Sequence, residues 1–112
     1  MENNWFEFLN IAVTIMDTDG KIVYMNDKSS KTFSKDGGKN LIGKNLYDCH
    51  SVRSTEIIHR LLQNKETNAY TIEKNGIKKM IYQTPWYENN ECKGLVELSL
   101  EIPFEMPHYI RK

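Results

Sequence analysis

The chain has 112 residues, the length of a single domain that can bury roughly two thirds of its unfolded surface in one core. Its 15 Lys and Arg balance 15 Asp and Glu, and the two signs are interleaved, so no broad basic stripe is available to a nucleic-acid backbone. No apolar run approaches the roughly 18 residues of a membrane span, and the first residues lack the features of a signal peptide. The sequence therefore predicts a cytoplasmic domain that contacts neither nucleic acid nor membrane directly.

The cysteines and the sequence motifs limit the kinds of chemistry that the chain could perform. Cys49 and Cys92 fit a reducing compartment better than a disulfide framework, although one pairing between them stays open. The sequence has no nucleophile elbow, no phosphate-binding glycine loop, no H-E-x-x-H and no recognisably spaced carboxylate pair. We therefore expect that the chain is not an enzyme.

The first predicted unit is an amphipathic segment at residues 1–10, which carries Trp5, Phe6, Phe8 and Leu9. Either the outer face of a sheet or a second subunit would remove these side chains from water. A β-hairpin follows over Ile11–Asn26, because strand-like runs flank a turn at residues 17–20 that ends in Asp19-Gly20. Next comes a short helix at residues 27–33, for which Asn26 or Asp27 is the candidate N-cap.

A longer helix is predicted at residues 54–63, after a polar loop that contains Gly37-Gly38. Its apolar residues recur at helical spacing, and they are Ile57, Ile58, Leu61 and Leu62. Ser54 or Thr55 is the expected N-cap.

Three strands are predicted in the last third of the chain. Residues 70–74 alternate, Asn75-Gly76 is the strongest hairpin turn signal, and the partner strand should reach only as far as Pro85, which lacks an amide donor. The last strand covers residues 94–102. Glu97 and Glu101 alternate there with apolar residues, so we expect them to form a row facing solvent or a dimer partner.

This order of elements resembles that of PAS domains. Sensory PAS domains commonly begin with a strand, a D-x-x-G-x-I turn and a second strand ending near Asn, which Asp17, Gly20, Ile22 and Asn26 match. Residues 41–46 (LIGKNL) are similar to the step that precedes the long PAS helix. The resemblance implies an α+β fold: a five-stranded antiparallel sheet with short helices and one longer connecting helix on one face. It assigns residues 11–102 to the PAS domain and residues 103–112 to a C-terminal tail.

Cys49-His50 precedes the long helix, as in a subgroup of PAS domains with a Cys-His step, although Ser51 and Val52 stand where prolines often follow. The pair is open to two functional interpretations, metal or heme ligation and a reactive thiol, beside a structural one. The His and Cys residues are too widely separated to indicate a structural zinc site.

His59 lies in the predicted long helix, where heme-binding PAS sensors place a proximal histidine. The resemblance therefore keeps heme open as a cofactor, with His59 or His50 as the ligand, whereas the cysteine motif of flavin photoreceptors is absent. The site itself is expected between the long helix and the sheet. We expect it to include His59, His50, Cys49, Ile58, Leu62, Tyr70, Ile81 and Leu98, with Val13 and Ile15 on its wall.

The resemblance implies a sensory or interaction module in signal transduction or transcription regulation. Such a module would bind a small hydrophobic or planar ligand and signal through a homodimer, a partner protein or a fused output domain outside this chain. Two alternatives stay open: a ligandless dimerisation or docking module, and a heme-based gas or redox sensor.

Overall fold

The computed structural model describes residues 4–45 and 52–112, with the backbone alone for Val52 and Ser54. The strands are β1 (Ala12–Asp17), β2 (Ile22–Met25), β3 (Asn68–Lys74), β4 (Ile77–Glu88) and β5 (Glu91–Ile102). The helices are α1 (Asp27–Thr32) and α2 (Val52–Asn64), and short 3-10 turns cover Ser34–Asp36 and Gly38–Leu41. The strands form one antiparallel sheet in the order β2-β1-β5-β4-β3, which confirms the predicted fold class.

The first hairpin closes through its predicted turn. Asp17 Oδ1 accepts hydrogen bonds from the amides of Asp19 and Lys21, and Gly20 has φ 83°. A carboxylate that binds its own turn and a glycine with positive φ are the features that favour this bend. The segment after the second 3-10 turn then runs along β2, because the Ile22 amide donates to the Lys44 carbonyl at 2.9 Å.

The N-cap prediction at Asn26 is confirmed, whereas the one for the long helix is wrong. Asn26 Oδ1 accepts from the Ser29 amide at 2.9 Å, as an N-cap side chain does. Helix α2 already begins at Val52, so Ser54 and Thr55 lie within its first turn. Helix boundaries are the least certain part of an argument from hydrophobic periodicity, which identifies the body of a helix better than its first turn.

The core lies between α2 and one face of the sheet. Ile58, Leu61 and Leu62 form the buried stripe of α2, at the spacing of a single helix face. They pack against buried residues of the sheet and its flanking turns, namely Met16, Ile22, Met25, Leu41 and Leu95. We call this side of the sheet the inner face and the opposite side the outer face.

Strands β4 and β5 differ from the predicted strands in two ways. β4 passes through Pro85 and continues to Glu88, so the prediction that Pro85 limits the strand is wrong. β3 pairs with β4 only as far as Gln83, which leaves Pro85 paired on one side, and a proline is tolerated in such an edge position. In addition, a bulge opposite Trp86 and Tyr87 inserts one extra residue, Lys93, into β5.

The N-terminal segment packs on the outer face of β1. The amide of Asp27 donates to the Glu7 carbonyl at 2.9 Å, and Phe6 makes an edge-to-face contact with Tyr24 at 5.5 Å between ring centroids. Trp5 and Phe8 nevertheless remain 71% and 81% exposed. Within residues 4–45 and 52–112, no helix has the length and apolarity that crossing a bilayer requires.

Candidate ligand-binding site

A cavity of about 370 Å³ lies between α2, the 3-10 turns and the inner face of the sheet. Its apolar lining is provided by Met16, Ile22, Met25, Phe33, Leu41 and Ile58. Asp36 and Lys44 line its edge and are exposed, so the cavity has a side that is accessible from solvent. Thr14 and Glu97 are the polar residues that line it from the sheet.

Thr14 and Glu97 belong to a polar row that crosses four strands of the inner face. Directly paired positions join Asn68 to Gln83, Gln83 to Glu97 and Glu97 to Thr14. Hydrogen bonds connect the first three: Asn68 Nδ2 donates to Gln83 Oε1 at 3.0 Å, and Gln83 Nε2 donates to Glu97 Oε2 at 2.8 Å. Paired polar groups lose little free energy on burial, which explains how a half-buried carboxylate persists beside an apolar cavity.

The other end of the row is anchored on α1. The hydroxyl oxygens of Thr14 and Ser29 lie 2.6 Å apart, and Ser29, in the first turn of α1, is fully buried. The Thr14 hydroxyl therefore already has a partner within the protein. Glu97 is the member of the row that both lines the cavity and carries charge.

The placement of Glu97 corrects the sequence prediction. Glu97 is not fully exposed but half-buried on the inner face, opposite Thr14 on β1 and Gln83 on β4. The pKa of the nearby Tyr70 phenol is raised above its usual value, first by partial burial and second by the negative charge of Glu97. Sequence reasoning missed Asn68, Gln83 and Thr14 as partners, although the Asn75-Gly76 turn alone fixes the pairing of Asn68 with Gln83.

The residues predicted to form the site fall into three groups. Ile58 lines the cavity, and Leu62 is buried in the core beside it. Ile81 and Tyr70 are paired with each other on the inner face, the first buried and the second 44% exposed. Leu98 lies on the outer face, because it is paired with Val13, whose neighbours Thr14 and Ala12 point inward.

The candidate heme and thiol residues are not brought to the cavity within the described residues. His59 lies on the exposed side of α2, next to Arg60, and is not part of the cavity lining. His50 and Cys49 lie outside the described residues. Cys92 is half-buried, and its thiol donates to the Gly94 carbonyl at 3.7 Å. The described part of the chain holds no cluster of three or more His, Cys, Asp or Glu suited to a metal ion.

A second hollow, of about 400 Å³, lies on the outer face beneath the N-terminal segment. It is lined only by apolar residues: Trp5, Phe6, Leu9, Ile11, Val13, Ile15 and Leu98. Val13 and Ile15 thus line this outer hollow and not the inner cavity where the sequence placed them. An apolar hollow beside exposed aromatic rings is typical of an association surface.

Glu7 links the N-terminal segment to the sheet. Its carboxylate accepts from the Tyr24 hydroxyl at 2.6 Å and from Lys39 Nζ at 3.1 Å. These hydrogen bonds, that of Tyr24 first, hold the pKa of Glu7 below its usual value. Burial and the same hydrogen bond raise the pKa of Tyr24 far above that of a free phenol. The segment is therefore fixed to the outer face by charge as well as by apolar contact.

Comparison with solved structures identifies the fold. The PAS domain of the histidine kinase ThkA superposes with a TM-score of 0.66 at 20% identity, covering 81% of this chain and 98% of that one. A sensory box sensor histidine kinase from Vibrio cholerae gives 0.66 at 15% identity and covers 90% of this chain and 89% of its own. VqmA bound to DPO gives 0.72 at 12% identity over 90% of this chain and 56% of its own. A scan of protein-family models and a search of curated proteins find no match.

These structures share with the chain its five-stranded antiparallel sheet and the helices on one face of it. The chain has the PAS fold, and the predicted resemblance is confirmed at that level.

Proposed function

We propose that the chain is a cytoplasmic PAS sensory or interaction module that binds a small hydrophobic or planar ligand in the inner cavity. The observation that carries the proposal is the cavity itself, whose volume of about 370 Å³ falls in the range of small-molecule sites, roughly 300–1,000 Å³. A densely packed core contains few voids larger than a water molecule, so a space of this size is better suited to a ligand than to a closed core. We assign no catalytic activity to the chain.

The signal would leave through the outer face. Trp5, which lines the apolar hollow, is 71% exposed, and Tyr82, which is paired with Leu98 of the hollow, is 36% exposed. Phe8, in the same N-terminal segment as Trp5, is 81% exposed. A homodimer, a signalling partner or an output domain outside this chain would cover these rings. The N-terminal segment connects the two sides, since Asn26, the N-cap of α1, donates to the Phe6 carbonyl at 2.7 Å.

Binding of a planar probe tests the proposal. Acetophenone, followed by chemical-shift perturbation in the wild type, should shift the amide signals of cavity-lining residues such as Met16 and Ile58. The variant Phe33→Trp, which enlarges a half-buried lining residue, should abolish these shifts, whereas Phe104→Trp, the same change at an exposed position, should leave them unchanged. Equal binding by Phe33→Trp would place the probe elsewhere. An absence of binding would favour the ligandless docking module.

Absorbance spectroscopy distinguishes the alternative function, a heme-based sensor, from the proposed one. If heme binds, the protein incubated with heme shows a Soret band that His59→Ala or His50→Ala removes. The exposed position of His59 leads us to expect no His59-dependent band.

A further inference from the structure

We propose that the Glu97 carboxylate is the specificity-determining group of the cavity and selects a planar ligand that presents paired N–H donors, as an amidine does. This inference rests on the function proposed above. Its starting point is the polar row of Asn68, Gln83 and Glu97, which occupies inner-face positions that a purely structural core would fill with apolar side chains.

The hydrogen bonds of the row have fixed directions. A carboxylate only accepts, so Gln83 must turn its NH₂ group toward Glu97. Its carbonyl oxygen then faces Asn68, which in turn must donate. Gln83 is 7% exposed, so this orientation is set in the interior and holds one carboxylate oxygen in place. The two amides therefore orient Glu97, and they do so from the side of β3 and β4.

Glu97 retains acceptor capacity. A carboxylate offers about four lone-pair sites on its two oxygens. Gln83 uses one of them, on Oε2, and Oε1 accepts no hydrogen bond from residues 4–45 or 52–112. Glu97 also lines the cavity. A ligand with two adjacent N–H groups would occupy these sites as a fork, which is the strongest and most directional arrangement that a carboxylate offers.

The other polar lining groups do not compete for this role. The Thr14 hydroxyl is engaged with Ser29, and Asp36 and Lys44 lie at the exposed edge. A ligand with only acceptor atoms, or an anionic one, would place its oxygens against Glu97 without a proton between them, which is unfavourable in a partly dry cavity. The chemistry of the cavity therefore favours donors over acceptors.

Three probes of similar outline test the inference: benzamidine with paired N–H donors, acetophenone with none, and benzoate as an anion. We expect wild-type protein to bind benzamidine at least about tenfold more tightly than acetophenone and to bind benzoate most weakly. Glu97→Gln should remove the preference for benzamidine and leave acetophenone within about twofold, since it changes the charge and hardly the shape. Gln83→Met should reduce the preference, because it removes the hydrogen bond that orients Glu97.

Glu101→Gln is the matched control, because it is the same substitution on the same strand and face at an exposed position outside the cavity lining. It should leave all three affinities unchanged, and the melting temperature of each variant checks that it folds. Tighter binding of acetophenone than benzamidine, or an unchanged ratio in Glu97→Gln, overturns the inference. If acetophenone binds and Phe33→Trp blocks its binding, the proposed function stands even where the inference about Glu97 is overturned. If no probe binds the wild type, the proposed function fails and the inference fails with it.

Discussion

Asn26 and Val13 are joined by two hydrogen bonds. The backbone amide of Asn26 donates to the Val13 carbonyl at 3.0 Å, and the backbone amide of Val13 donates to the side-chain oxygen Oδ1 of Asn26 at 2.9 Å. The same side chain accepts from the Ser29 amide and donates to the carbonyls of Phe6 and Ile11. Its two acceptor sites and two N–H donors are all used, and it is fully buried. One side chain thus connects β1, α1 and the N-terminal segment.

Asn26→Ala should lower the free energy of unfolding by about 3 kcal/mol or more, since it leaves several buried backbone groups without partners. Asn40→Ala, at an exposed position, should change it by less than about 0.5 kcal/mol. Urea denaturation measures both values. Asn26→Asp keeps the acceptor and loses both donors, and it serves if the alanine variant does not fold. A loss below about 1 kcal/mol in Asn26→Ala would contradict this role.

The Glu7 contacts predict an acid-dependent loss of stability. The pKa of Glu7 is lower in the folded protein than its usual value of 4.5, so folding favours its ionised form. This contribution is fully present above the unfolded-state pKa and is lost as the pH falls through the folded-state pKa. Wild-type protein should therefore lose more stability than Glu7→Gln when urea denaturation is repeated from about pH 6 to about pH 3. Glu105→Gln, in the exposed tail, should follow the wild type; parallel curves for wild type and Glu7→Gln would refute the linkage.

The β5 bulge places Gly94 against β1, and its φ of 148° favours glycine. A Cβ at this position would overlap the carbonyl oxygen of Met16. Gly94→Ala should therefore reduce the free energy of unfolding by more than about 3 kcal/mol or prevent folding. Gly76 also has a positive φ, 78°, but a Cβ added there would meet no neighbouring atom. Gly76→Ala should therefore reduce the free energy of unfolding by only about 1–2 kcal/mol. Similar losses in the two variants would show that the close approach to Met16 does not matter.

The outer face can be tested as an association surface by a pair of variants with similar exposure. Tyr82 is 36% exposed on the outer face of β4, and Ile72 is 39% exposed on the inner face of β3. Tyr82→Glu should weaken a homodimer at least about tenfold, because it places a charge in an apolar contact. Ile72→Glu should leave the dissociation constant unchanged in sedimentation equilibrium. The reverse ranking would assign association to the inner side.

The sequence predicted the order of elements and both hairpin turns, because Asp19-Gly20 and Asn75-Gly76 are strong local signals. It did not predict which face each β5 residue occupies. The two-residue turn after Glu88 pairs that residue with Glu91, and unbroken pairing would then place Val96 opposite Gln83. The extra residue of the bulge moves Glu97 to that position instead.

A shift of one residue in register exchanges the two faces of a strand. Glu97 therefore lies on the inner face and Leu98 on the outer face, the reverse of what unbroken pairing would give. The bulge has a weak sequence signal, since a lone glycine in a strand marks many kinds of irregularity. On β1, apolar side chains occupy both faces, and alternation alone could not assign Val13 and Ile15. The polar row was therefore accessible only once the register was known.

The most direct test of the central claim, that the inner cavity holds a small ligand, is native mass spectrometry of freshly purified wild type beside Phe33→Trp. We expect a wild-type dimer that carries the extra mass of a small organic molecule, released on denaturation, and a Phe33→Trp protein at the bare polypeptide mass. Two results would contradict it. One is equal extra mass in both proteins. The other is a wild type at the bare mass that also gains none on incubation with benzamidine or acetophenone.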